Sequence, residues 1–228
     1  MNPEILPINK IRGILLLILM ASAFISLGGC ELLYYLQGNG EDKALYKIPK
    51  SDRVLVLVDS SAGSPMTIQA TGSLIDSVNS QLYQNKAADQ LVPSFRVMEL
   101  ERTNPVTYQQ MGIADVAKSV KADVVVYIFL DRFNVQLDSD QQISQGDAVG
   151  MVKIVDSGGK RLWPDDATEG YPITARVKED FTLTQTSTDV QNQLIAQLSV
   201  NIGQLFYSHA ESDNPSNDQP DNQLDAGQ

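Results

Sequence analysis

Four places in the chain carry residue types that could do chemistry. In the run Asp59-Ser60-Ser61-Ala62-Gly63-Ser64, a carboxylate and several hydroxyls fall close together. Clustered oxygens of this kind suit a hard cation, which takes about six to eight oxygen ligands, or an activated serine. Asp165-Asp166, just after Trp163-Pro164, could act as paired carboxylates. His209 is the lone histidine of the chain, and Cys30 its lone cysteine. Each of these has to be weighed against the element that carries it.

His209 comes just after the last helical pattern, where a surface side chain is favoured by the helix dipole. With one histidine and one thiol, Ser-His and Cys-His triads lack partners. Asp165 and Asp166 are neighbours in a proline-containing loop, whereas glycosidase carboxylates converge from separate elements. Trp163 is read as a packing residue. Gly158-Gly159 joins two strands and so lacks the strand-to-helix geometry that cradles phosphate. No catalytic residue, cofactor or metal site is therefore expected.

The Asp59 loop is the strongest exception, because it follows a central strand at the end where α/β sheets place ligands. It is similar to the Asp-x-Ser-x-Ser metal motif of von Willebrand factor A domains, with Asp59 and Ser61 in matching places. The second serine position holds Gly63, with Ser64 one residue late. A metal-dependent adhesion domain or hydrolase using Asp59 and Ser61 is the alternative function; a polar turn is the main reading.

Cys30 has a different context. Lys10 and Arg12 form a cationic head, Gly13 to Leu27 is an uncharged apolar run, and Gly28-Gly29 leads to the thiol. The run has the length of a signal-peptide core and is short for a spanning helix. Leu27-Gly28-Gly29-Cys30 resembles the bacterial lipobox. That resemblance implies cleavage between Gly29 and Cys30 and acylation of Cys30, with two or more chains giving a stable anchor. Glu31, rather than Asp, favours the outer membrane over the inner one within that family. The expected location is the cell envelope, facing the periplasm.

The chain of 228 residues carries a net charge of −11. Losing the segment before Cys30, with two bases and one acid, makes it more negative still. An acidic chain of this kind is a poor nucleic-acid binder. It also does not adsorb electrostatically to anionic lipid, so membrane attachment falls to the lipid at Cys30.

The expected organisation is a signal peptide (1–29), lipidated cysteine and tether (30–50), an α/β domain (51–209) and a disordered acidic tail (210–228). The tail is almost free of apolar residues and cannot offset its ordering entropy. Arg53 to Asp59 reads as a strand buried on both faces. Leu74, Ile75, Val78 and Leu82 mark a helix, and Phe95 to Leu100 alternates like a second strand. Asn104-Pro105 starts a helix, Ile113 to Val120 continues helical spacing, and Ala122 to Leu130 is another buried strand. Gly150 to Asp156, the turn Ser157 to Lys160 and Arg161 to Trp163 form a hairpin, and Ile173 to Leu183 is extended. Val190 to Phe206 is an amphipathic helix capped by Thr188 or Asp189. The fold class is α/β, a single domain of two or three layers with a mixed sheet, in the order β-α-β-α-β-β-β-α.

Ala122-Asp123 followed by Val155-Asp156-Ser157-Gly158-Gly159-Lys160 resembles the periplasmic α/β domain of the curli-secretion lipoprotein family. The same domain type occurs in lipoprotein activators of penicillin-binding proteins and in the N-terminal domain of the Tol-system β-propeller protein. The long amphipathic hairpins of the curli channel barrel are missing. The resemblance implies a non-enzymatic interaction or assembly module for a secretion, envelope-assembly or cell-wall complex, bound to an envelope protein or to itself. A small-ligand carrier is a third reading.

Overall fold

The computed structural model describes residues 41–138, 143–180 and 186–210. The expected signal segment, Gly29, Cys30, the first part of the tether and the tail from residue 211 lie outside the described residues. Among the described residues, no helix is long and apolar enough to cross a membrane.

The elements of the main sheet and its helices are, in order, β1 (Arg53–Ser60), α1 (Ile68–Gln84), β2 (Gln90–Leu91), α2 (Ser94–Thr103), α3 (Pro105–Gln110) and α4 (Ile113–Ser119). They continue as β3 (Val124–Asp138), β4 (Ile143–Asp156), β5 (Arg161–Trp163), β6 (Tyr171–Asp180) and α5 (Ser187–Gly203). The sheet order is β2-β1-β3-β4-β5, with β6 also paired to β4. β1 runs parallel to β2 and β3, and all pairs made by β4 are antiparallel. The fold is thus α/β with a mixed sheet and a C-terminal helix.

Alternation along β1 divides the core. Val54, Val56 and Val58 pack with Leu74 and Leu82 of α1 and with Leu194 and Leu198 of α5. Leu55 and Leu57 face the other way, onto Val97 of α2 and Val116 and Ala117 of α4. Each fully buried aliphatic side chain contributes about 1.5–3 kcal/mol, which is why the run Val54–Val58 can hold a central strand. Helices therefore cover both faces of the parallel part. On the antiparallel part, the second face carries exposed Arg132, Asn134, Gln136, Gln145, Arg176 and Lys178.

β3 continues well past the end of β1, paired with β4, and the serine loop bonds to it where the two part. Pairing shifts from Leu130 opposite Gly150 to Arg132 opposite Val149, leaving Asp131 as the extra residue of a bulge. Ser61 N–H donates to the Leu130 carbonyl at 2.8 Å, and its hydroxyl donates to the Asp131 carbonyl at 2.7 Å. Ser64 Oγ accepts the Phe133 N–H at 2.8 Å and donates to the Phe133 carbonyl at 3.0 Å. Backbone groups of the bulged stretch are thus satisfied by the backbone of Ser61 and the hydroxyls of Ser61 and Ser64.

Several expectations need correction. Phe95 to Leu100 is helical, inside α2, and the second strand is the short Gln90–Leu91. Six alternating residues fit either period, and here Ser94 and Val97 are buried at helical spacing. Arg, Met, Glu and Leu in that stretch are good helix formers. The cap of α5 is Thr186, not Thr188 or Asp189; its hydroxyl accepts the Asp189 N–H and the Asp189 carboxylate accepts the Thr186 N–H in return. The packed region also begins before residue 51. Ile48 is a core residue, and the Leu45 and Tyr46 N–H groups both donate to the Leu205 carbonyl.

Candidate functional site

The period of two along β1 places Asp59 on the same face as Leu55 and Leu57, the face covered by α2 and α4. In the parallel register Leu57 lies opposite Tyr127, and Asp59 opposite Phe129. Tyr127 Oη reaches Asp59 and donates to Oδ2 at 2.8 Å. Across the next pair Tyr127 lies opposite Lys153, whose Nζ is 4.9 Å from the centre of the Tyr127 ring. A carboxylate, a phenol and an ammonium are therefore lined up on one face of three neighbouring strands.

The electrostatics keep both phenols of this region protonated. Burial raises the Tyr127 pKa, and the charge and hydrogen bond of Asp59 raise it further. Tyr108, from α3, is pushed up to about 12, by burial first and then by the charges of Asp59 and Glu101. A phenol held in its neutral form donates hydrogen bonds and does not act as a base at neutral pH. This arrangement holds Lys153 in place more readily than it moves a proton.

Asp59 and Ser61 have separate partners, the Tyr127 hydroxyl and the Asp131 carbonyl. Ser60 Oγ accepts the Met66 N–H at 3.2 Å, and Ser64 is bonded to Phe133. Among the described residues, no three His, Cys, Asp or Glu side chains converge as metal ligands.

Asp165 and Asp166 are exposed in the loop after β5. Trp163 stacks on Tyr171 at 5.3 Å and meets Phe206 edge-on at 6.2 Å, the packing role expected of it. His209 is not a surface helix-end residue. α5 stops at Gly203, Leu205 and Phe206 turn back into the core, and His209 begins a two-residue strand. Its side chain is 10% exposed, with Nε2 3.7 Å from the Asp42 carboxylate.

Asp123 and Asp156, the two aspartates of the resembling motif, tie backbone together. Asp123 accepts the Arg53 N–H at 2.9 Å where β1 starts, and its carbonyl accepts the Ser157 N–H. Asp156 Oδ1 accepts the N–H groups of Gly158 and Lys160, closing the turn in which Gly159 adopts φ +90°.

Tyr127 and Lys153 were missed by sequence reading. Their signal was present but indirect: Tyr127 is the single polar residue in the run Val124-Val-Val-Tyr-Ile-Phe-Leu130.

No family model matches this chain, and no curated protein matches it. Similar solved structures include the lipoprotein GNA1162 of Neisseria meningitidis, at 18% identity, 64% of this chain, 93% of that chain and TM-score 0.39. The PelC dodecamer of Paraburkholderia phytofirmans is similar at 14% identity, 72% of this chain, 96% of that chain and TM-score 0.40. A minor lipoprotein of Acinetobacter baumannii is similar at 14% identity, 69% of this chain, 92% of that chain and TM-score 0.38. At these scores the likeness carries no residue-by-residue correspondence.

Proposed function

We propose that this chain is a lipid-anchored protein of the bacterial cell envelope whose α/β domain works as a non-enzymatic interaction module. The observation that carries the reading is Leu27-Gly28-Gly29-Cys30 behind a cationic head and an apolar run. Acylation consumes the one thiol and holds the domain at the membrane surface. Glu31, rather than Asp, favours the outer membrane over the inner one as the site of the anchor. The domain meets an envelope protein, or a second copy of itself, in a secretion, envelope-assembly or cell-wall complex. The use of Ser61, Ser64, Asp123 and Asp156 to tie backbone together supports a rigid docking body.

Mass spectrometry of the mature chain, combined with cross-linking in intact envelopes, tests both halves. The expected mature N-terminus is an acylated Cys30, lost in Cys30→Ala, and a defined envelope protein or the chain itself is captured from the anchored form. An unmodified Cys30 overturns the anchor. An anchored chain that captures nothing above background overturns the interaction module.

A further inference from the structure

We propose that the cleft between α4 and the sheet is a binding site for a small organic anion, a carboxylate or phosphate carried on an apolar body. The cleft has a volume of about 370 Å³, and its lining includes Lys153, Val155, Arg161, Ile113 and Thr168. That volume lies within the range of small-ligand pockets, about 300–1,000 Å³. Its ionisable lining residues are the two cations, with no Asp or Glu among them, in a chain that has 28 acids against 17 bases.

The register builds this site. Lys153 and Val155 are two apart on β4 and share a face, and Arg161 of β5 lies opposite Val155. Both cations therefore emerge on the α4 side of the sheet, on adjacent strands. Each is also held from behind. Lys153 sits over the Tyr127 ring, which the bond to Asp59 fixes, and Arg161 Nη1 donates to the Ala167 carbonyl at 3.0 Å. The rest of the guanidinium edge can meet a planar or tetrahedral anion, with the ammonium as a second charge. The Thr168 hydroxyl adds a donor. Ile113 and Val155 form an apolar wall that rewards a hydrophobic body on the ligand and gives nothing to a bare ion.

Binding here needs no anchor and no partner, so it is tested separately from the interaction reading. The experiment is isothermal calorimetry on the full chain in non-ionic detergent, with phenyl phosphate, benzoate and inorganic phosphate as probes. Saturable one-to-one heat with phenyl phosphate or benzoate is expected, weakening as salt rises; which of the two binds tighter identifies the headgroup. Arg161→Gln and Lys153→Gln each weaken binding about ten-fold, while Lys153→Arg retains it. Arg176→Gln, an exposed cation elsewhere on the sheet, leaves it unchanged. No saturable heat at millimolar probe overturns the site, as does an equal loss in Arg176→Gln. Inorganic phosphate binding as tightly as phenyl phosphate overturns the apolar part of the assignment.

Discussion

The Tyr127 hydroxyl and the Asp59 carboxylate, 68 positions apart in the chain, are joined by a 2.8 Å hydrogen bond across the parallel β1/β3 pair. The bond ties the mouth of the serine loop to the platform beneath Lys153. It also has a pH signature.

Tyr127 and Tyr108 both have pKa values raised above the usual tyrosine value. Unfolded tyrosine loses its proton near about pH 10. Above that pH the unfolded chain binds fewer protons than the folded one, so stability falls as pH rises. Between neutral pH and that point, urea midpoints are expected to be flat with respect to these two groups, and above it to drop. Tyr127→Phe removes part of the drop; an identical alkaline slope in Tyr127→Phe and the parent chain would sink the assignment.

Ser61 and Ser64 hold the bulged stretch of β3 through backbone contacts. Ser61→Ala and Ser64→Ala are each expected to cost about 1 kcal/mol, with the fold retained. Millimolar Mg²⁺ should leave the melting temperature of the parent chain unchanged. A Mg²⁺-dependent rise that vanishes in Ser61→Ala would revive the cation reading of the loop.

Gly150 lies opposite Leu130 at the bulge, and a Cβ there would fall 2.2 Å from the Phe129 carbonyl oxygen. The obstacle is backbone, so Gly150→Ala should cost about 3 kcal/mol or more. Gly63 has open space around the same position, and Gly63→Ala should fold normally. Chemical denaturation of the two variants side by side measures the contrast.

The start of α5 rests on the reciprocal Thr186 and Asp189 bonds. Thr186→Ala should cost about 1 kcal/mol. The Asp189 carboxyl is held below its usual value by its side-chain and backbone hydrogen bonds to Thr186. Its contribution is present above the unfolded carboxyl value and fades as pH falls through the lower folded one. Asp189→Asn should flatten that acid limb in far-ultraviolet circular dichroism melts.

Much of the fold was legible because long patterns admit one period. The β-branched runs at Arg53 and Val124, the stripe from Leu74 to Leu82, and the turn at Ser157 to Lys160 all stand where they were expected. Phe95 to Leu100 misled because six residues satisfy two periods, and burial of Val97 on a helix decides only after folding. The Asp59–Tyr127 bond depends on which residue of a distant parallel strand lies opposite, and no local pattern encodes that register. Nor could composition show that Lys153 and Arg161 line one cleft. His209 was misplaced because the helical spacing runs on through Leu205 and Phe206, although the helix itself stops at Gly203.

The two N–H groups of Leu45 and Tyr46 share the Leu205 carbonyl, and Ile48 is seated in the core just beyond them. A pull applied at Leu45 therefore loads this clasp before it reaches β1. Beyond the clasp, the chain enters the centre of the sheet along β1, between β2 and β3. The expected order of failure under such a pull is the two bonds of the clasp first and the longer β1/β3 ladder afterwards.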